Sequence, residues 1–479
     1  MTLMEARPGA RGVEAAIGVG IAAALAGARP AARLAALTLD LAAPDPLALV
    51  RAALAADLET SAWLRPADGL AIVGIGRAWA TEPDGNGRFL AAAVAWDALR
   101  DDLRAADRPG AVGPVLLGGL GFHGHRAMDD GPWSAYPVAS LVLPALCLVI
   151  DHGAATLTVV APRDAGDQRG AALAATWSAL VAPIAASAPR PASASRLTAR
   201  ARSQPDRDGW ERLVGLMAGA VGRGRLDKVV LARRLDLDLA TPADLADVLG
   251  ALAAGAPESA TFLFGRGGHA FVGATPERLA RVDGHAFRTV AIAGSTRRGR
   301  DAAEDAALAT ALLASDKDRE EHAIVVDELR ARLAPLANEL RMAPEPGVLA
   351  LRDLQHLVTP VEGVLRERAG LLALAGLLHP TPAVGGAPYD AALAMLAEHE
   401  GFDRGWYAGP VGWLGPDGDG ELMVALRSGV VHGRHVSLFA GCGIVADSDP
   451  AREWAESRMK LRPMLGALGL AEADVEGAP

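Results

Sequence analysis

Two groups of charged residues have types and spacings that fit chemistry. The first is Lys228, in LDKVVLARR (residues 226–234), set at the head of an apolar, β-branched run. Such an ammonium can cap a strand and point into solvent, or it can be held in a dry place and serve as a base. The second group is a set of carboxylates on two predicted helices. SDKDREEHAIVVDELR opens with Ser315 as N-cap and Asp318 three residues on, which places Asp318 and Glu321 at i,i+3 on one face. An acidic first turn that complements the helix dipole accounts for these residues without any function. In the second helix Asp449 is the N-cap and Pro450 occupies the first position, and Glu453, Glu456 and Lys460 follow at i, i+3 and i+7. Glu456 and Lys460 also fit an ordinary i,i+4 surface pair.

The residues just before the second helix weigh against a purely solvated reading. FAGCGIVADSDP is a buried-type strand that runs through a glycine-rich turn into that helix. Backbone N–H groups exposed in such a turn can receive a carboxylate or phosphate. Carboxylates from two helices beside an anion cradle fit Mg2+, a hard cation that takes one or two protein carboxylates, keeps waters and holds an anionic substrate. A competing motif fails on context. GLGFHG (Gly119, Gly121, Gly124) has dinucleotide-fingerprint spacing, but HRAMDDGPWSAYP follows it, with two prolines and no helical period.

The elements that must position these residues read as α+β. Strands are predicted at KVVLARR, ATFLFGRGG, AFVGAT, RTVAIAG, LMVALRSGVV and HVSLFAGCGIV. Helices are predicted at 301–314, Asp316 to about Leu336, 389–400 and 450–465. Strands joined by hairpin-length turns, with helices between them, give largely antiparallel sheets. The Pro-, Ser-, Ala- and Arg-rich stretch at 187–210 reads as linker-like, and no repeat has a fixed period. With 479 residues and aromatics at only 4%, the core must be built from Leu, Val, Ala and Ile in many layers. A net charge of −10 lacks the basic stripe of a nucleic-acid binder and suits a small-molecule enzyme. Two cysteines, Cys147 and Cys442, make neither a disulfide framework nor a metal cluster, so a cytoplasmic location is expected. The run AAIGVGIAAALAGA has a weak export-signal character, but Glu5 and Glu14 cancel Arg7 and Arg11. No stretch has the ~20 strongly apolar residues of a membrane span.

Taken together, these pieces resemble the chorismate-utilising enzyme family: isochorismate synthases, salicylate synthases and the large chains of anthranilate and aminodeoxychorismate synthases. The motifs occur in family order: KVVLARR, GATPERL, AIAGSTRRG, DREEHAIVVDELR, LQHLVTP, LHPTPAVGG, FDRGWYAGPVGW, VALRSG and AGCGIVADSDPAREWAESRMK. The resemblance covers residues 205–470 closely and 1–200 loosely, and it implies one large α+β unit with a cleft between layered antiparallel sheets. It implies that Glu321 and Glu456 ligate Mg2+, with Asp318 and Glu453 supporting them. It places Tyr407 and Arg427 on the enolpyruvyl carboxylate of chorismate, helped by backbone N–H groups near Gly441 and Gly443. Lys460 then lies near the metal and the ring carboxylate, His356 lies near the ring, and Gly294 and Ser295 belong to the substrate site. Two departures are visible: Cys442 where Ala is usual, and Gly385 where Cys is common.

The branch follows from the nucleophile. Ammonia-using members carry Gln where this chain has Lys228 and need a glutamine-hydrolysing partner, so no amidotransferase subunit is expected. A lysine there fits water as nucleophile, with Lys228 as general base and Glu277 of GATPERL as the general acid that protonates the departing hydroxyl. The aminodeoxychorismate branch uses a lysine where this chain has Ala293, and no LLES-like tryptophan-binding segment is present. HLVTP and GFDRGWYAGPVGW follow isochorismate synthase usage, whereas salicylate synthases, the alternative, tend to read HLGST. The resemblance thus implies a Mg2+-dependent, monomeric isochorismate synthase feeding menaquinone or siderophore synthesis. A silent chorismate-binding homologue would be expected to have lost Lys228, Glu277 or a metal carboxylate, and all are present.

Overall fold

The computed structural model describes residues 10–27, 32–103, 113–125, 131–163, 168–185 and 199–475. Among these, the strands form two antiparallel sheets of twelve and ten strands. The larger sheet runs Leu34–Leu41, Ala154–Pro162, Leu146–Asp151, Leu70–Ile75, Thr60–Arg65, Ala260–Arg266, His269–Thr275, Ser428–His432, His435–Ile444, Lys228–Leu239 and Gly386–Ala387. The smaller runs Ala337–Met342, Leu354–Leu365, Ala286–Arg297, Arg278–Asp283, Gly420–Val424, Pro410–Leu414, Leu116–Leu120, Ala139–Leu143 and Trp79–Thr81, with Gly347–Ala350 as a tenth strand paired to Leu354–Leu365. Both sheets therefore draw strands from the first and second halves of the chain.

Strand periodicity explains the layering. Phe262 and Phe264 join one core cluster while Leu263 between them joins another, and Phe271 alternates in the same way with Ala270 and Val272. The aromatic side meets Leu117, Val282 and Phe287 of the smaller sheet. The aliphatic side packs on the helices Ala10–Gly27, Pro46–Ala55, Gln168–Ala185, Leu245–Gly255 and Pro450–Ala467, through Ile17, Leu49, Trp177, Leu249 and Leu461. The N-terminal apolar run is thus part of a packed helix, with Val13, Ile17 and Ile21 buried. No helix among the described residues is long and apolar enough to cross a membrane.

The chain passes between the sheets at two corners that matter for the site. One is Pro276–Glu277, between His269–Thr275 and Arg278–Asp283; the other is Ala425–Arg427, between Gly420–Val424 and Ser428–His432. They are stitched together: the Val424 N–H donates to the Glu277 carbonyl at 2.9 Å, and the Ala274 N–H donates to the Arg427 carbonyl at 3.2 Å. LMVALRSGVV is therefore not one strand. It breaks at Arg427, whose φ of 48° cannot continue a strand, and its two parts belong to different sheets.

A second correction concerns the linker-like stretch. Residues 187–198 lie outside the described residues, but Ala199–Gln204 is a strand paired with Arg234–Leu239, and the next helix begins at Arg207 behind the Asp206 N-cap. The alternating Ala and Arg of ARARSQ is an edge-strand pattern, with Ala199 and Ala201 packed on the core. The predicted helices appear at Ala302–Ala314, Asp316–Leu333, Tyr389–His399 and Pro450–Ala467. GLGFHG leads from Leu116–Leu120 into a bend, and a Cβ on Gly119 would strike the Trp406 ring while one on Gly124 would strike Asn86. Close packing accounts for those glycines.

Candidate active site

Between the sheets, near the two corners, lies a cavity. The twelve residues assigned from the sequence to proton transfer, substrate and direct metal contact all line it. The larger sheet contributes Lys228, Gly441 and Gly443, and the smaller contributes Gly294, Ser295 and His356. The corners contribute Glu277 and Arg427, the helices Glu321, Glu456 and Lys460, and a turn contributes Tyr407. Asp318 and Glu453 stand behind this lining: Asp318 packs against Gly294, and Glu453 lies beside Glu456.

Lys228 is 1% exposed, and its ammonium donates to Glu321 Oε1 at 2.8 Å. Of the two options open for this lysine, the structure selects the dry one. Gly443 lies against this pair, and a Cβ there would collide with the Glu321 carboxylate and Lys228 Cε. The glycine-rich turn thus makes room for the ion pair as well as exposing backbone. From the register, Val230 faces away from the His435–Ile444 strand, so the N–H groups of Gly441 and Gly443 point away from Lys228–Leu239.

Glu277 is 4% exposed. Burial pushes its carboxyl up to about 7, although Lys228, Arg427, Lys460 and the Thr381 hydroxyl oppose the shift. A carboxyl that is half protonated near neutral pH and borders the same cavity as a buried lysine is suited to deliver a proton.

Arg427 Nη2 donates to His356 Nε2 at 3.4 Å, and His356 Nδ1 donates to Ser295 Oγ at 2.8 Å. Because a guanidinium can only donate, Nε2 accepts and the proton sits on Nδ1. Burial, then Arg427 and Lys460, hold the imidazole well below its ordinary range, so it is neutral. The strand bulge at Gly294, with φ 76° and a register shift between Ala293 and Ser295, aims Ser295 at this ring. Burial alone would lower the Lys460 ammonium, but Glu456 at 2.6 Å holds it above the ordinary lysine range, and it also donates to the Gly441 carbonyl at 2.9 Å. The Tyr407 ring stacks on Phe439, with centroids 5.2 Å apart, and burial raises its phenol to about 12.

The four acidic residues have three lysines among them: Lys228 on Glu321, Lys460 on Glu456, and Lys317 on Glu453 at 3.3 Å. Burial, reinforced by Glu456, pushes Glu453 up to about 7; burial also raises Asp318, against the Ser315 hydroxyl that donates to it. The lysines offset much of this charge, while the carboxylate oxygens that the two helices bring to one cavity are the donor type a hard divalent cation takes. The caps fix the helices: Ser315 Oγ accepts from the Asp318 N–H at 3.3 Å, and Asp449 Oδ1 accepts from the Arg452 N–H at 2.9 Å.

A family profile described as chorismate binding enzyme matches residues 21–469. The chain belongs to the chorismate-binding enzymes. A salicylate biosynthesis isochorismate synthase of Pseudomonas aeruginosa is 37% identical over 406 residues, 85% of this chain and 84% of that protein. The isochorismate synthase MenF of Bacillus subtilis is 33% identical, over 85% of this chain and 87% of its own length. Among solved structures, MenF, the menaquinone-specific isochorismate synthase of Escherichia coli, superposes with a TM-score of 0.78 at 30% identity, covering 94% of this chain and 99% of that one.

In this chorismate-binding enzyme, sequence reasoning missed three residues beside the site. Thr381 lies beside Glu277 and favours its charged form, Lys317 pairs with Glu453, and Arg404 lines the cavity fully buried. Thr381 and Arg404 stand inside LHPTPAVGG and FDRGWYAGPVGW, so the motifs contained the signal while their long-range partners were invisible.

Proposed function

We propose that this chain is an isochorismate synthase, converting chorismate reversibly to isochorismate by attack of water at C2 and loss of the C4 hydroxyl. The observation that carries this reading is a buried lysine and a buried, protonatable carboxyl on one cavity, with the lysine where ammonia-using members carry Gln. The two relatives and the solved neighbour are all named isochorismate synthases. Lys228, as its free amine, takes a proton from the attacking water while Glu277 gives one to the departing hydroxyl. A C2–O bond forms, the ring double bonds shift and the C4–O bond breaks. One water enters and one leaves, so the net change is an isomerisation. The products of one direction, an ammonium and a carboxylate, are the reagents of the other, as reversibility requires. Because the Lys228 ammonium is paired with Glu321, turnover requires that pair to open.

Arg427 and Tyr407, with the N–H groups of Gly441 and Gly443, hold the enolpyruvyl carboxylate. Gly294, Ser295 and neutral His356 set the ring and fix Arg427. Lys460 faces the ring carboxylate. Glu321 and Glu456 would hold Mg2+, supported by Asp318 and Glu453, and the bound cation supplies charge neutralisation for that carboxylate. On this reading the enzyme works as a cytoplasmic monomer without a glutamine-hydrolysing partner.

The test is purified protein with chorismate and Mg2+, its products separated by chromatography. Isochorismate alone supports the reading. Salicylate with pyruvate moves the chain to the lyase branch, and anthranilate formed with ammonium salts overturns the choice of nucleophile.

A further inference from the structure

The Lys228–Leu239 strand has a gap along its outer edge. Gly386–Ala387 pairs only with Val229 and Lys228, and Ala199–Gln204 pairs only from Arg234 onward. Within the gap, the Val230 N–H donates to the Gly385 carbonyl at 3.0 Å. The next two edge groups are met by an ion pair. Arg404 Nη2 donates to the Val230 carbonyl at 2.6 Å, and Glu400 Oε1 accepts from the Ala232 N–H at 2.7 Å. Arg404 and Glu400 are 1% and 5% exposed and are joined by two contacts of 2.6 Å. Arg404 Nη1 also donates to the Val384 carbonyl at 2.9 Å, and the guanidinium lies over the Phe122 ring.

A buried ion pair has a desolvation penalty that its mutual attraction often fails to recover. Here the pair does what a strand would do, since unpaired backbone groups in a dry edge are also costly. Its reach extends to the strand that carries Lys228 and to the turn beside it. Val230 is two residues from Lys228. Val384 closes the turn whose Thr381 carbonyl accepts from the Val384 and Gly385 N–H groups, and Gly385 in turn holds the Val230 N–H.

We propose that Arg404 and Glu400 are positioning residues: in place of a missing strand they lock the Lys228 edge to the turn at residues 381–385 and so fix Lys228 in the cavity. For its kinetic readout this rests on the isochorismate synthase reading. The groups assigned to the substrate carboxylates have other anchors, so a loosened pair alters turnover more than binding.

Arg404→Lys keeps the charge and loses the fork. It is compared with wild type for chorismate turnover with Mg2+ and for hydrogen exchange of the peptide spanning residues 228–234. The expected result is a kcat lower by about 10- to 100-fold, the loss that a misplacement near 1 Å produces. KM stays within about threefold, and exchange rises in that peptide but not in the Phe262–Phe271 core. A wild-type kcat, or core exchange rising in step with it, overturns the proposal. The double substitution Arg404→Met with Glu400→Leu removes both charges without leaving either unpaired; it should lose kcat equally with a protected core, and wild-type turnover there also overturns the proposal. If wild type itself makes no isochorismate, the functional reading fails, and local exchange alone decides the positioning claim.

Discussion

Two buried ion pairs border the cavity and are built on different plans. Arg404 and Glu400 are four residues apart, meet through two contacts and spend their remaining capacity on backbone groups of two other segments. Lys228 and Glu321 come from a strand and a helix and meet through one 2.8 Å contact, with Glu321 12% exposed. The first pair is saturated, so its charges are fixed. The second is held by a single contact beside a carboxylate cluster. Similar residue types thus form a closed scaffold in one place and, on the proposed mechanism, the reagent in the other, and the difference lies in how many backbone groups each pair satisfies.

The largest effect should come from breaking the second pair chemically. Lys228→Gln keeps a donor toward Glu321, so the protein should fold with an ordinary circular dichroism spectrum. It removes the base, so water addition should fall by about 10^3-fold or more, within the range general-base losses reach. A Gln variant turning over at the wild-type rate would sink the base assignment.

Glu277→Gln sharpens the same comparison from the acid side. Turnover should drop about 10^2- to 10^3-fold. In the wild type, kcat/KM should decline as pH rises through about 7, because the acid must be protonated and burial places its midpoint there. Stability should move in step. The folded-state value is raised from 4.5, so the group's stabilisation is fully present below about 4.5 and is lost as pH rises through about 7. A shift from 4.5 to about 7 corresponds to about 3 kcal/mol. The Gln variant is neutral throughout, so its melting temperature in metal-free buffer should gain on wild type between pH 5 and 8. Parallel curves would show that Glu277 is not buried as a neutral acid.

Much of this site was legible because its signals are local. Ser315 and Asp449 mark helix starts by capping chemistry, and the carboxylates follow at helical spacing behind them. What was not legible was non-local. Nothing in LMVALRSGVV marks Arg427 as a left-handed corner, since the usual signals, Gly or Asn, are absent there. Nothing local sets Glu400 and Arg404 apart, and only the gap in the neighbouring strand, formed by segments far apart in sequence, makes them structural. Likewise ARARSQ carries strand periodicity in residues too small and too charged to announce a core.

Cys442 gives the smallest expected effect and tests which atoms belong to the metal set. Its thiol lies within 4.8 Å of the Glu453 and Glu456 carboxylate oxygens, a spacing that by itself would admit a soft metal. Two observations speak against it as a ligand. The thiol donates to the Glu453 backbone carbonyl at 3.3 Å, and burial raises it well above its ordinary range, whereas a sulfur ligand must be deprotonated. Packing and one weak hydrogen bond are what Cys442→Ala removes, so the cost should be about 1 kcal/mol. The Mg2+ concentration for half-maximal activity should change by less than about twofold, because the proposed donors are all oxygen. A tenfold weaker Mg2+ response, or loss of a Zn2+ affinity that the wild type shows, would put sulfur in the donor set and move the metal away from Glu321 toward Glu453.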